Sequence, residues 1–309
     1  MRNFYSNGKL LLTGEYFVLD GAKSLAVPTK FGQDLSVEKI KESQLIWGSF
    51  THEGACWFEA IFDLTKFRLV SCTFNSETEG NAEVIAETLL EILKEARSLN
   101  PNFLNSENGH VVKTTLTFPR NWGLGSSSTL INSIASWAKV DPFKLLWNSF
   151  KGSGYDIACA QNNAPIFYQI KDKKPMVHQV AFNPTFKENL FFVHLNAKQD
   201  SKEGIAKFRE SNQNIEKEIE MISAISDRFL EATSLEDFDT LIIEHERIIS
   251  SIIKLKPVKE YLFPDYFGEI KSLGAWGGDF ILATGNSSTP DYFKNRGFET
   301  ILSYSEMVL

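Results

Sequence analysis

The sequence predicts an α+β fold in two lobes. Three observations carry that prediction: short alternating runs that read as strands, longer stretches with apolar residues at three- and four-residue spacing that read as helices, and a length of 309 residues, about twice that of a usual domain. Hydrophobic residues make up 43% of the chain, enough for packed cores, and the 23% that are charged suit a globular protein. The formal net charge of -7 argues against a nucleic-acid partner, which a basic patch would serve. It leaves an anionic small molecule open, because a pocket can be locally basic in an acidic protein.

The elements follow in order. Leu10-Leu11-Leu12 and Tyr16-Phe17-Val18-Leu19 read as a strand-like run with a break at Gly14-Glu15. Residues 33–40, 44–50 and 55–62 read as strands. Residues 81–98 read as a helix, with Ala82, Ile85, Ala86, Leu89, Leu90 and Leu93 on one side. Val112, Thr114, Leu116 and Phe118 alternate into a strand that Pro119 ends. Leu130, Ile131, Ile134, Ala135 and Trp137 give a helix, and residues 164–170 and 189–195 give strands. Residues 203–231 predict one long amphipathic helix or two. Residues 235–254 predict another, with His245 among its apolar positions as a packed residue. Residues 276–309 return to short strands, Phe280-Ile281-Leu282-Ala283 the clearest. The charged stretch Lys171-Asp172-Lys173-Lys174-Pro175 predicts a lobe boundary, giving domains 1–172 and 173–309. Phe263, Tyr266 and Phe267 read as core, with an interface as the alternative, and the state expected is monomer or homodimer.

Cys56, Cys72 and Cys159 form no C-x-x-C pair and the five histidines no H-x-x-x-H pair, which predicts reduced thiols in a cytoplasmic protein and no zinc site. No apolar run reaches the roughly 18 residues of a membrane span, so no membrane partner is expected. The N-terminal apolar run is broken by Thr13-Gly14-Glu15, unlike a signal peptide.

The most informative segment is Pro119-Arg120-Asn121-Trp122-Gly123-Leu124-Gly125-Ser126-Ser127-Ser128-Thr129, between a strand and a helix. Its glycines permit positive φ and close approach to a ligand. The helix that follows offers unpaired N–H groups and the positive end of its dipole, which suit a phosphate. Serine hydroxyls can bond phosphate oxygens, and one can face a magnesium ion. A Ser-rich helix cap reads equally well from these residues alone. The pattern is neither a Walker A loop nor a dinucleotide-binding fingerprint.

P-x-x-x-G-L-G-S-S-S resembles the second signature of the GHMP kinases, a superfamily that includes galactokinase, homoserine kinase, mevalonate kinase and phosphomevalonate kinase. Gly8-Lys9-Leu10-Leu11-Leu12-Thr13-Gly14-Glu15-Tyr16-Phe17-Val18-Leu19-Asp20-Gly21 looks like the first signature, and Lys271-Ser272-Leu273-Gly274-Ala275-Trp276-Gly277-Gly278-Asp279-Phe280 like the third. The resemblance implies an N-terminal lobe related to ribosomal protein S5 domain 2, a ferredoxin-like C-terminal lobe, and ligands in the cleft between them. It implies ATP and Mg2+ as cofactors and a small-molecule acceptor. Gly123, Leu124, Gly125, Ser126, Ser127 and Ser128 would bind the ATP phosphates, with Ser127 facing the metal. Glu15, Ser153, Gly154, Gly274, Ala275, Gly277 and Gly278 would line the acceptor and third-motif loops.

Gly152-Ser153-Gly154-Tyr155-Asp156-Ile157-Ala158 is similar to a stretch that carries the active-site Asp in mevalonate and phosphomevalonate kinases. That match makes Asp156 the catalytic acid–base candidate, where its own residues read equally as a helix cap. Lys9 matches the lysine of the first motif, where a solvated strand-end lysine is the plain reading. A cation there would stabilise the transferring phosphoryl group. Asp156 would take the proton of an alcohol acceptor, whereas a phosphate acceptor is already mostly anionic. The first motif and Asp279 lean toward phosphomevalonate kinase, with mevalonate kinase next. Homoserine- or sugar-type kinases, or a weakened nucleotide-binding regulator, are the alternatives. Three departures stand out: Trp276 where the family has glycine, Ser128-Thr129 for alanines, and Leu145, beside Lys144, where mevalonate kinase has an acidic magnesium ligand.

Overall fold

The computed structural model describes residues 1–75, 81–105, 108–197, 201–210, 214–274, 276 and 278–309, without the side chains of 201–204 and 207. Two compact units are interleaved along the chain. The first comprises Met1–Gly8, Phe31–Arg120 and Gly125–Gln161, and the second Lys9–Lys30, Asn121–Leu124 and Asn162–Leu309. The two long first strands, β1 (Arg2–Leu11) and β2 (Ser24–Ile40), each run from one unit into the other.

The first unit adds β3 (Gln44–Phe50), β4 (Cys56–Asp63), β5 (Arg68–Phe74), α1 (Ala82–Leu99), β6 (Gly109–Leu116), α2 (Ser126–Ala138), α3 (Pro142–Ser149) and α4 (Tyr155–Gln161). Its strands run in the order β2-β6-β3-β4-β5. β6 pairs antiparallel with residues 33–40 of β2 and parallel with β3. Val112, Thr114 and Leu116 alternate inward as their spacing predicts. Leu35, Leu45, Trp47, Phe58 and Val112 of the sheet form one core with Leu89 and Leu93 of α1, Ile131 and Ile134 of α2, Leu145 of α3 and Ile157 of α4. Asn81 caps α1 by accepting from the Glu83 and Val84 amides. Asp141 caps α3, a helix absent from the sequence reading, with Pro142 in its first turn.

The second unit adds β7 (Ile166–Lys171), β8 (Lys174–Gln179), β9 (Leu190–His194), α5 (Ser201–Glu210), α6 (Glu216–Glu231), α7 (Leu235–Ile253), α8 (Val258–Leu262), β10 (Ile270–Ser272), β11 (Phe280–Thr284), α9 (Thr289–Lys294), β12 (Ile301–Ser303) and α10 (Tyr304–Met307). β7 pairs with Ser24–Ala26 of β2 and with β8. The charged stretch Lys171–Pro175 contains the two-residue turn of that hairpin, Asp172 and Lys173 at φ 51° and 59°. The four remaining strands form an antiparallel sheet in the order β10-β11-β9-β12. With helices between β9 and β10 and between β11 and β12, this is the ferredoxin-like arrangement. Val193, Ile270, Ile281, Phe263, Tyr266 and Phe293 pack beside it, while Phe267 is 54% exposed.

Two expectations change. Residues 16–19 do not continue a strand: Gly14 turns at φ 90° and Tyr16 at φ 64°, and Phe17–Asp20 closes into a 3-10 turn. The tail 276–309 holds two short helices besides its strands. Among the described residues, no helix is long and apolar enough to cross a membrane.

Candidate functional site

The first unit presents two of the motif segments. Gly125 is the left-handed residue (φ 89°) that opens α2, and no side chain caps this helix. Gly125 itself has no side chain to cap the first-turn N–H groups of α2, an arrangement that suits an anion. Thr129 is buried and donates to Gln33 Oε1 at 2.7 Å, which anchors the turn to β2. Ser127 stands exposed, and Ser126 and Ser128 are half-buried. Asp156 is half-buried in the first turn of α4, after buried Ser153 and Gly154 (φ 91°). A carboxylate suits that position by the helix dipole. α4 is tied to α2 by a buried polar chain: Gln161 donates to Asn132 Oδ1 at 3.1 Å, and Asn132 donates to Ser6 Oγ at 2.9 Å. Ser6 and Ser133 hydroxyls meet at 2.8 Å. At the start of the loop, Arg120 lies 3.8 Å from the Trp57 ring centroid.

The second unit presents the rest. Lys9 is half-buried in β1, and its amide donates to the Leu124 carbonyl at 3.1 Å. Gly123 sits at φ 65°, and a Cβ on it would overlap the Asp279 carboxylate. Trp122 packs edge-on against Phe280, and the Asn121 carbonyl lies 3.1 Å from His194 Nε2. The second motif's Asn121–Leu124 is thereby docked beside the third motif's Asp279 and Phe280. Gly274 (φ 66°) has open space at its Cα, and Gly278 is buried. Ala275 and Gly277 lie outside the described residues. Trp276 is 3% exposed, and its amide donates to the Tyr16 hydroxyl at 3.1 Å. Tyr16 stacks on Phe208 at 5.9 Å. The large indole is buried, and its main-chain amide ties the third motif to the first.

Glu15 is 1% exposed and belongs to a buried polar cluster. Its Oε1 accepts from Lys271 Nζ at 2.5 Å, and its Oε2 lies 3.2 Å from His245 Nε2. Lys271 Nζ also lies 3.6 Å from Glu246 Oε1. Glu246 Oε2 accepts from the amide and hydroxyl of Ser272, at 3.2 and 3.0 Å. Burial pushes Glu15 up to about 7, against the pull of Lys271 and with a further push from Glu246. Burial also raises Glu246, opposed by Lys271 and Ser272, and burial with Lys271 holds His245 well below its ordinary value. Lys271, His245 and Glu246 were not among the expected functional residues. Their signals were a lysine inside a strand and a Glu continuing the apolar stripe of α7.

The metal-binding potential is limited. Leu145 is fully buried in the core, and no group of three His, Cys, Asp or Glu side chains among the described residues could hold an ion. Ser127 and Asp156 supply oxygen donors, but no protein cage.

The sequence matches no protein-family model and no curated protein. Solved structures do resemble it across nearly their whole length. Phosphomevalonate kinase of Streptococcus pneumoniae, solved with phosphomevalonate and AMPPNP, has a TM-score of 0.69 at 16% identity, covering 98% of this chain and 100% of its own. Mevalonate kinase of Methanococcus jannaschii has a TM-score of 0.68 at 16% identity, covering 97% and 96%. Galactokinase of Lactococcus lactis, solved with galactose, has a TM-score of 0.63 at 12% identity, covering 97% and 92%. The chain therefore has the fold of the GHMP kinases.

Proposed function

We propose that this chain is an ATP-dependent kinase of the GHMP type that phosphorylates a small metabolite, phosphomevalonate or mevalonate being the first acceptors to test. The observation that carries the reading is α2, opened by left-handed Gly125 and serines with no side-chain cap, in a chain with this fold. Helix N–H groups and hydroxyls are there to cradle phosphates. In the reaction, the γ-phosphorus of ATP loses its bond to the β–γ bridging oxygen and gains one to the acceptor oxygen. Lys9 supplies positive charge to the transferring group's oxygens. Asp156 takes the proton if the acceptor is an alcohol. If it is a phosphate, the nucleophile is already anionic and Asp156 matters less. Gly123 and Asp279 set the backbone path of the loop.

The test is ADP release from Mg-ATP with mevalonate, phosphomevalonate, homoserine and galactose, beside Lys9→Ala and Asp156→Asn. Turnover with one acceptor, lost in Lys9→Ala, is the expected result. Turnover with none, despite a rise in melting temperature with Mg-ATP, favours a nucleotide-binding regulator. Trp276, buried in the place of a family glycine, is the observation behind that second reading.

A further inference from the structure

We infer that Glu15 is a neutral carboxylic acid in the folded protein, with its proton on the oxygen beside His245 Nε2, and that this buried proton holds the turn at Gly14–Tyr16. The geometry carries it. The Gly14 amide donates to His245 Nε2 at 3.0 Å, so that nitrogen is bare and the ring is the neutral tautomer with its proton on Nδ1. Glu15 Oε2 lies 3.2 Å from the same bare nitrogen. Two lone-pair atoms at that distance repel unless one carries a proton, and Nε2 cannot carry it while accepting from Gly14. Oε1 is taken by Lys271, whereas Oε2 is buried with no hydrogen-bond partner among the described residues, so the proton belongs on Oε2.

The charges agree. The titratable groups facing Glu15 are His245 and Glu246 from α7, Lys271 from β10, and the Tyr16 phenol from its own turn. Lys271 is one ammonium between two carboxylates, all with side chains at most 5% exposed. Ionising both acids would leave a net negative charge in a buried site, which is strongly unfavourable. Glu246 is the one better suited to ionise, because an amide and a hydroxyl of Ser272 already donate to it. The pKa of Glu15, raised by burial, points the same way.

Glu15 and His245 are thus positioning residues. They fix the first-motif turn from which Tyr16 receives the Trp276 amide, and Lys271 ties the same turn to the strand leading into the third motif. This inference does not depend on the kinase reading, and its test needs no substrate.

The experiment compares the wild type with Glu15→Gln across pH. The glutamine carbonyl can accept from Lys271 and its uncharged amide can stand where the protonated oxygen does, so it mimics the neutral acid. A group whose pKa is raised from 4.5 to about 7 on folding favours the native state at low pH and loses that contribution as pH rises through about 7. Relative to Glu15→Gln, the wild type's unfolding constant should rise by up to about tenfold per pH unit between those values and level off above. Infrared spectra at pH 6 should show a protonated-carboxyl band that titrates near neutrality and is missing from the variant. Parallel stability curves, or no such band in the wild type, overturn the inference. If Glu15→Gln does not fold, nitrogen-15 NMR of the wild type decides: a neutral His245 ring with bare Nε2 at pH 6 supports the assignment, and an imidazolium refutes it.

Discussion

Gly123→Ala tests whether the second motif is shaped by the third. Two costs are legible at Gly123. Its φ of 65° is left-handed, which costs an alanine about 1–2 kcal/mol. A Cβ there would also overlap the Asp279 carboxylate, and overpacking of this kind costs about 1–3 kcal/mol. The sum is about 2–5 kcal/mol, and at roughly 2 °C per kcal/mol for a chain of this size it is a drop of several degrees. Asp279→Gly removes the overlap but not the φ penalty. In the Gly123→Ala background it should therefore restore at least about 1 kcal/mol more than the two single effects predict. The assay is a double-mutant cycle by urea unfolding, with the Mg-ATP-induced rise in melting temperature recorded for each variant. The expected pattern is loss of the nucleotide effect in Gly123→Ala and partial recovery in the double variant. Additivity within about 0.5 kcal/mol would refute the claim that Asp279 shapes this loop.

Other predictions follow from single sites. Leu145→Asp puts a carboxylate where the resemblance places a magnesium ligand, yet Leu145 is in the core. It should destabilise by several kcal/mol without raising magnesium affinity, as denaturation and metal titration can show. Asn132→Ala breaks the bonds joining Ser6 to Gln161 and should cost about 1–3 kcal/mol. By loosening α4 it should lower kcat more than the KM for ATP. Trp276→Gly empties a buried indole site and should cost roughly 3–5 kcal/mol, measurable by thermal unfolding, whereas Trp276→Phe should retain most of the stability.

The parts of the fold that were legible are those with period in them. The helix read over 81–98 is found at Ala82–Leu99, and Val112, Thr114 and Leu116 alternate inward in β6. β5 was not legible, because most of its residues are half-buried or exposed and no apolar alternation marks it. Tyr16–Leu19 misled because four consecutive large apolar residues fit a buried strand and a buried turn equally, and only the left-handed Gly14 and Tyr16 decide. The glycine-serine loop was legible for the opposite reason: its conformational demand is written in local residues, and Gly125 meets it as the first residue before α2.

The Glu15 cluster was hidden by the same logic. Sequence patterns report burial through apolar residues, so a buried charge breaks the pattern and reads as surface. Glu15 and Lys271 are 256 positions apart, and neither is intelligible without the other. Trp276 makes the same point about motifs. Taken singly, it departs from the sequence the resemblance leads one to expect and looks like damage to a glycine loop. In the structure the Trp276 amide bonds the Tyr16 hydroxyl, and both side chains are buried. The apparent loss is then a buried residue whose main chain is tied to the first motif. The loop's fitness for a ligand has to be judged with both residues in place, which is why Trp276→Phe discriminates better than Trp276→Gly: it keeps an aromatic ring in the buried site and removes the rest of the indole with its N–H.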